Sequence, residues 1–226
     1  MKNKINVFLD LDNTIINSLD LDELTEINPN FKTEPLEFEK KFKYADMILD
    51  DVFEFRVYAR PNLEEFLDFL FENFNVCIWT AADSDYAMFI VDKFIETKPN
   101  RKIDLIFYRY HLELSENRYG EGHIKDLRFL WEFIKHPDIL PCNTVLIDDL
   151  IDVKLTNPDN VIKVQRFDMT NYDDELTLNY NIINDNVLLG VKEQLTKMLH
   201  NFNSDLCQTL TKSYKSRFIP SLILLD

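Results

Sequence analysis

An apolar run that ends abruptly in two carboxylates lies near the start of this 226-residue chain. Val7, Phe8 and Leu9 form the run, and Asp10 and Asp12 follow it one residue apart. A run without polar alternation predicts a strand buried on both faces, as in a parallel sheet. Both carboxylates then lie at the carboxyl end of the strand, where open α/β sheets bind ligands. Because neighbouring carboxylates repel each other, the pair predicts a metal site or acid–base chemistry.

Three further apolar runs predict strands of the same sheet, at residues 75–80, 144–147 and 161–164. The first of them ends on Thr80, and the second is followed by Asp148 and Asp149. Segments with helical spacing lie between the runs, so the alternation predicts an α/β fold with a doubly wound parallel sheet. We expect Thr80 and the two acidic pairs to meet at one edge of that sheet.

Helical periodicity is clearest after Pro61. Leu63, Phe66, Leu67 and Leu70 recur at helical spacing, which predicts an amphipathic helix that Pro61 opens. Further helices are predicted at residues 84–94 and 124–136, and residues 173–200 are predicted to be mainly helical.

Two excursions interrupt the alternation of strands and helices. Residues 47–58 predict a β-hairpin with an acidic turn at Asp50 and Asp51, whereas residues 20–39 show little periodicity and predict an irregular segment. Residues 104–114 are apolar and aromatic and predict another strand, which a loop at 118–123 follows.

The balance of charge argues against some partners. The formal net charge is -15 and the pI is about 4.7, so bare nucleic acid and anionic lipid should be repelled. A protein partner fits this charge better than a nucleic acid does. With only 3 glycines in the chain, a Gly-rich phosphate loop of the dinucleotide or P-loop kind is excluded.

The cysteine pattern and the N-terminal sequence indicate in which cellular compartment we expect the protein. Cys77, Cys142 and Cys207 are far apart and form no C-x-x-C pair, so we expect neither a zinc knuckle nor a disulfide scaffold. A reducing compartment is the default for such a chain. The first strand begins too early to leave room for a signal peptide, and no apolar run reaches membrane-spanning length. We therefore expect an intracellular protein, cytoplasmic or nuclear, without a membrane partner.

Four motifs occur in an order that a known superfamily shares. They are Asp10-Leu11-Asp12-Asn13-Thr14, Thr80 at a strand end, Lys125 at the start of the predicted helix 124–136, and Asp148-Asp149 after a strand. The order resembles the haloacid dehalogenase (HAD) superfamily of phosphatases. This resemblance implies a Rossmann-like HAD sheet with a small hairpin insertion and no large cap.

Further segments resemble those of one particular group within this superfamily. They are Arg60-Pro61 with Phe66-Leu67, Ile78-Trp79-Thr80-Ala81, Phe107-Tyr108-Arg109 and Ile124-Lys125-Asp126-Leu127. These segments are similar to elements of the RNA polymerase II carboxy-terminal-domain (CTD) phosphatases and the small, NLI-interacting-factor-like CTD phosphatases. The likeness covers roughly residues 5–176. One departure is Asn13-Thr14-Ile15, where that group usually has Glu-Thr-Leu.

The resemblance implies a role for each motif. Asp10 is the expected nucleophile, and Asp12 is the expected acid and base. Mg²⁺ is the expected cofactor, held by Asp10, the backbone carbonyl of Asp12 and Asp148, while Asp149 either holds metal-bound water or orients Lys125.

The same resemblance implies substrate contacts. Thr80 and Lys125 are expected to bind the phosphoryl oxygens, and Arg109 is a candidate for a second contact. A simpler interpretation of Arg109 is an ordinary ion-pairing residue, and the acidic pairs could be turn residues.

Residues 1–200 are expected to form the HAD-like phosphatase domain, with insertions at about 19–58 and 104–122 that shape a substrate groove. Residues 201–226 are expected to be a docking tail or an added strand. The expected activity is that of a protein Ser/Thr phosphatase. A phosphatase of nucleic-acid 3′-phosphates or small phosphoesters is one alternative, and a HAD-fold binding or assembly protein with little turnover is another.

Overall fold

The apolar runs form a five-stranded parallel sheet in the computed structural model, which describes residues 4–27, 29–30, 39–122, 124–170, 180–202 and 207. In spatial order, and numbered along the chain, its strands are β6 (Leu105–Phe107), β5 (Asn75–Trp79), β1 (Asn6–Leu9), β7 (Thr144–Asp148) and β8 (Val161–Lys163). Every neighbouring pair of these strands is parallel. The predicted doubly wound α/β class is therefore confirmed.

The central strand β1 is buried on both faces, as its unbroken apolar run predicts. Val7 and Leu9 pack on one face, in the hydrophobic core that also contains Phe66 and Leu67. Phe8 packs on the other, where its ring lies 6.3 Å from the Trp79 ring and 6.0 Å from the Phe107 ring. Burial of this strand fixes the position of the two carboxylates that follow it.

Seven α-helices lie in the described residues. They are α1 (Leu21–Ile27), α2 (Leu63–Asn73), α3 (Ser84–Ile90), α4 (Arg109–Tyr119), α5 (Ile151–Thr156), α6 (Tyr180–Ile183) and α7 (Val187–Asn201). Short π-helical segments cover Val91–Ile95 and Phe129–Ile134. The predicted helix after Pro61 is α2, and all four of its periodic apolar residues are buried.

A second, antiparallel sheet has the strand order β2–β4–β3, with β2 at Ile16–Leu19, β3 at Tyr44–Leu49 and β4 at Val52–Ala59. The predicted hairpin is β3–β4, and Asp50 and Asp51 form its turn with φ values of 50° and 64°. Strand β2 was not predicted, because its four residues carry no alternation.

Three local predictions are wrong in detail. Residues 20–39 contain the helix α1, while residues 31–38 lie outside the described part of the chain. The helix α4 begins at Arg109, so only the first part of 104–114 is a strand, and α4 runs into the predicted loop at 118–123. Lys125 does not open a helix. It lies in a turn with φ of 49°, and helical structure begins at Phe129.

The expected insertion at 104–122 contains the edge strand β6 of the central sheet. Of the segment expected to be mainly helical, residues 180–200 form α6 and most of α7, while residues 171–179 lie outside the described part. The expected docking tail also lies outside it, apart from residues 201, 202 and 207. No helix among the described residues is long and apolar enough to cross a membrane.

Cys142 and Cys207 form a disulfide with their Cα atoms 5.5 Å apart, contrary to the expectation from cysteine spacing. The two residues are separated by 65 positions, and the fold alone brings them together. Cys77 is free and buried.

Candidate active site

Asp10 lies at the carboxyl end of β1, in the middle of the parallel sheet. Its backbone N–H donates to the Ile147 carbonyl oxygen at 3.0 Å, which continues the pairing of β1 with β7. Its side chain accepts from Thr14 Oγ1 at 2.9 Å, and Thr14 Oγ1 lies 3.4 Å from Asp149 Oδ1. The threonine of the D-x-D-x-T motif therefore fixes the orientation of the first aspartate.

The chain turns back on itself directly after Asp10. The Leu11 carbonyl oxygen accepts from Ile15 N at 2.9 Å, and Asn13 adopts a left-handed conformation with φ of 60°. Within the turn, Asn13 N donates to the Ile16 carbonyl oxygen at 2.7 Å and Thr14 N to the Leu11 carbonyl oxygen at 3.2 Å, so the turn is held by its own backbone hydrogen bonds. Arg60 holds the turn from behind, because its Nη1 donates to the Thr14 carbonyl oxygen at 2.8 Å while its Nη2 pairs with Asp185 at 2.8 Å.

Lys125 places a buried positive charge between two of the acidic residues. Its Nζ lies 2.6 Å from Asp10 Oδ1 and 2.7 Å from Asp148 Oδ2. Asn157 holds the turn that carries this lysine, since its Nδ2 donates to the Lys125 carbonyl oxygen at 3.0 Å and its Oδ1 accepts from Leu127 N at 2.9 Å. These two hydrogen bonds of the Asn157 side chain, called the Asn157 latch below, explain how Lys125 keeps a left-handed conformation outside any helix.

The burial of these charges changes their protonation. Burial raises the pKa of Asp10 to about 7, although the Lys125 ammonium acts in the opposite direction. Burial also raises the pKa values of Asp12 and Asp149. The pKa of Lys125 is raised because the attraction of Asp10 and Asp148 exceeds the cost of burying the ammonium. Lys125 thus stays positively charged, whereas Asp10, Asp12 and Asp149 bind protons more readily than exposed carboxylates do.

Asp12 is held by a tyrosine that the sequence motifs do not include. Tyr86, on α3, donates from its hydroxyl to Asp12 Oδ1 at 2.5 Å. The same hydroxyl contacts Ser18 Oγ on β2, and the Phe55 ring on β4 packs against the tyrosine ring at 5.6 Å. The second sheet and α3 together fix the orientation of the Asp12 carboxylate.

Thr80 and Arg109 lie at neighbouring strand ends. Thr80 follows β5 and is almost fully buried, and its Oγ1 accepts from Ala82 N at 3.1 Å. Arg109 begins α4 after β6, and its Nε donates to the Ala81 carbonyl oxygen at 3.2 Å. Arg109 is therefore attached to the loop that follows Thr80, with an exposed side chain.

The carboxylates of Asp10, Asp148 and Asp149 could hold a metal ion. Their ligand oxygens lie within 4.8 Å of one another, and all three residues are buried. Carboxylate oxygens are the ligands that Mg²⁺ prefers. The Asp12 carboxylate is not part of this group of three and accepts a hydrogen bond from Tyr86.

The structure brings Asp10, Lys125, Asp148 and Asp149 into one cluster. Asp12 lies two residues after Asp10, and Thr80 lies at the carboxyl end of the neighbouring strand β5. Sequence reasoning missed the positioning residues Tyr86, Asn157 and Asp185. Tyr86 stands six residues after Thr80 in a segment that resembles a plain amphipathic helix, and the other two act on the site from distant parts of the chain. None of the three carries a local sequence signal.

A parallel sheet with this carboxylate and lysine cluster at its central strand ends is the architecture of a HAD-type phosphatase. Residues 5–192 match the NLI interacting factor-like phosphatase family, and the chain belongs to that family.

Several known proteins are similar to the chain. It is 38% identical over 185 residues to CTD phosphatase-like protein 355R of Invertebrate iridescent virus 6, covering 79% of this chain and 97% of that protein. It is 36% identical over 194 residues to the protein of the same name from Invertebrate iridescent virus 3, covering 84% and 94%.

Among solved structures, Fcp1, an essential RNA polymerase II CTD phosphatase, is similar in fold, with a TM-score of 0.53 and 21% identity over 88% of this chain. The match spans only 52% of the Fcp1 chain. At this identity the likeness supports the fold alone.

Proposed function

We propose that this protein is a Mg²⁺-dependent phosphomonoester hydrolase that acts on phosphoserine or phosphothreonine in proteins through an aspartyl-phosphate intermediate on Asp10. The observation that carries the proposal is the position of Lys125 Nζ, 2.6 Å from Asp10 and 2.7 Å from Asp148. A cation buried between a nucleophile and a metal ligand is placed to bind an oxygen of a phosphoryl group during transfer.

In the first step, an Asp10 carboxylate oxygen attacks phosphorus. The bond between phosphorus and the ester oxygen breaks, and the leaving oxygen takes a proton from Asp12. Burial raises the pKa of Asp12, which favours the protonated form that a general acid needs. The hydroxyl of Tyr86 holds the carboxylate in one orientation through this step.

In the second step, a water molecule attacks phosphorus and gives its proton to the Asp12 carboxylate. The bond between phosphorus and Asp10 breaks, which releases phosphate and regenerates both aspartates. Thr14 keeps Asp10 in place through its hydrogen bond. In this mechanism Lys125, the backbone N–H groups of Leu11 and Asp12, and Thr80 bind the phosphoryl oxygens.

Asp10, Asp148 and Asp149 are the residues that would hold Mg²⁺, together with the backbone carbonyl of Asp12. A bound Mg²⁺ supplies positive charge that lets a carboxylate approach a phosphate dianion. Asp10, Asp12, Asp148 and Asp149 supply four carboxylates against the single ammonium of Lys125. The site therefore needs such a cation when all four are ionised.

The protein substrate is supported by two observations. The viral relatives are described as CTD phosphatase-like. The net charge of -15 disfavours a nucleic-acid substrate.

The test compares three substrates in the presence of Mg²⁺. These are a phosphoserine peptide, a small aryl phosphate and an oligonucleotide with a 3′-phosphate, each with the wild-type chain and with Asp10→Asn. We expect the peptide to be hydrolysed with the highest kcat/KM and the variant to lose at least about 10³-fold, because it removes the nucleophile.

Two results would overturn parts of the proposal. Preferential hydrolysis of the 3′-phosphate would replace the protein substrate by a nucleic acid. A folded wild-type protein with no more activity than Asp10→Asn on every substrate would leave a binding protein instead.

A further inference from the structure

Arg166 lies next to the turn that follows Asp10, on the β8 side of the site and on the far side from Arg109. Arg166 Nη2 lies 3.2 Å from the terminal amide of the Asn13 side chain. Arg166 also lowers the pKa of Asp149 by its positive charge, although burial and Asp148 raise that pKa overall. The guanidinium therefore lies beside the turn, and its positive charge acts on Asp149.

The backbone around Arg166 is fixed to the same turn. Phe167 N donates to the Asn13 carbonyl oxygen at 2.8 Å, and Met169 N donates to Asn17 Oδ1 at 2.9 Å. Phe167 and Met169 are almost fully buried. The backbone that carries the arginine is therefore hydrogen-bonded to the turn that follows Asp10 and to Asn17.

The charge of Arg166 is only weakly compensated by its ion-pair partner. Its Nε lies 3.5 Å from Asp168 Oδ2, and the arginine side chain is 57% exposed. Such an exposed and long ion pair contributes little energy. Asn13, its neighbour in the turn, is neutral and adds no negative charge. A guanidinium in this state is available for a bidentate contact with a phosphate or carboxylate.

We propose that Arg166 binds a second anionic group of the substrate, a phosphate or a carboxylate next to the phosphoester that is hydrolysed. The inference rests on the proposed function and extends it to substrate selection. Arg166 is a binding residue in this account, and it takes no part in bond making or breaking. An acidic chain that needs anionic substrates would gain selectivity from one fixed cation at the border of its site.

The experiment compares Arg166→Gln with the wild-type chain on four phosphoserine peptides of one sequence. One has no other acidic group, one has a second phosphoserine, one has a glutamate in that place, and one has a glutamine. The second group is placed in turn before and after the reacting phosphoserine. Lys102→Gln is the matched control, because it removes an exposed charge before β6, at the opposite edge of the sheet.

We expect Arg166→Gln to lower kcat/KM about tenfold for the peptide with the second phosphate, less for the glutamate peptide, and little for the two others. The Lys102→Gln control should change all four peptides equally. Arg166→Lys should restore part of the selectivity, since it keeps the charge without the planar guanidinium. A larger loss on the phosphate than on the glutamate peptide would identify the favoured anion.

An equal loss on all four peptides would overturn the inference, because Arg166 would then only support the turn at Asn13. No change on any of them would overturn it as well. If no peptide is hydrolysed, the proposed function fails by itself. The affinities of the same peptides for Asp10→Asn, with and without Arg166→Gln, then decide whether Arg166 selects for the second anion.

Discussion

Asp10 is a buried carboxylate whose neighbours act on it in opposite directions. Burial and the negative charge of Asp148 favour its protonated form, whereas the ammonium of Lys125 favours its ionised form. The outcome is a pKa of about 7, well above that of an exposed aspartate. Since a carboxylate must be ionised to act as a nucleophile, the proposed mechanism needs a cation near Asp10 for full activity at neutral pH.

The first prediction concerns this pKa. A raised pKa means that the folded protein binds a proton that the unfolded chain has already lost, so stability falls as pH rises from about 4 to about 7. Asp12 and Asp149 act in the same direction. From about pH 5.5 to about pH 7, Asp10 alone accounts for a loss of up to about 2 kcal/mol without metal.

Thermal unfolding with chelator and with Mg²⁺ measures this effect. We expect Mg²⁺ to raise the Tm more at about pH 8 than at about pH 5.5, because protons compete with the metal at low pH. Asp10→Asn should reduce the pH dependence of the metal-free protein. An equal Mg²⁺ shift at both pH values would contradict the raised pKa.

The second prediction concerns Tyr86. Tyr86→Phe removes the hydroxyl that holds Asp12 and should lower kcat about tenfold with little change in KM, a part of the general-acid contribution. The loss should be larger for an alkyl phosphate than for a nitrophenyl phosphate, because only the poor leaving group needs the proton. Tyr44→Phe, on the outer strand β3, is the matched control. Equal losses on both leaving groups would mean that Tyr86 has only a structural role.

Elements differ in how far local sequence determines them. The strand β1 and the helix α2 follow directly from their apolar patterns, because an unbroken run and a helical stripe each have one good way to be buried. The hairpin β3–β4 follows from its acidic turn and its alternation. Each of these elements was predicted close to its observed bounds.

The turn around Lys125 could not be predicted from local sequence. Apolar residues after it have helical spacing, which predicts a helix that starts at Lys125. Tertiary contacts prevail, because the ammonium is drawn between Asp10 and Asp148 and Asn157 binds the backbone on both sides. For the same reason the four motifs indicated the chemical groups of the site but not the residues that hold them.

The third prediction tests this latch. Asn157→Ala leaves the Lys125 carbonyl and the Leu127 N–H without their partner and should cost about 1–3 kcal/mol of stability. Activity at a temperature where the variant is folded should fall several-fold, because Lys125 loses its fixed position. Circular dichroism melting and phosphatase assays measure the two effects.

Asn160→Ala is the matched control for the latch. Asn160 Nδ2 donates to the carbonyl oxygens of Pro141 and Thr144, each at 2.8 Å. These bonds lie at the amino end of β7, whereas Asp148 of the site lies at its carboxyl end. The Asn160→Ala variant should lose about as much stability as Asn157→Ala does, and it should keep its activity when folded. If both variants lose activity equally, the turn at Lys125 has no special role.

The whole molecule joins the site to distant parts of the chain. Asp185, just before α7, pairs with Arg60, which in turn holds the turn after Asp10. At the amino end of β7, away from the active site, the disulfide attaches Cys207 to the segment before that strand. Cysteine spacing predicted no such bond, because a pair separated by 65 residues has no local signature.

The fourth prediction concerns this disulfide. A crosslink across 65 residues stabilises the folded state by up to about 4 kcal/mol through the unfolded chain. Air-oxidised protein should therefore melt several degrees higher than protein treated with a thiol reductant. Cys142→Ser should melt like the reduced protein and show no further response to reductant. Identical melting of oxidised and reduced wild-type protein would contradict the bond.

The central claim is that Asp10 is the nucleophile of a metal-dependent phosphatase. The most direct measurement is the hydrolysis of an aryl phosphate by the wild-type chain and by Asp10→Asn, each with Mg²⁺ and with chelator. We predict turnover only for the wild type with Mg²⁺, together with a phosphoryl group on the peptide that contains Asp10 after acid quench. Equal activity of the two proteins, or activity that survives the chelator, would contradict the account.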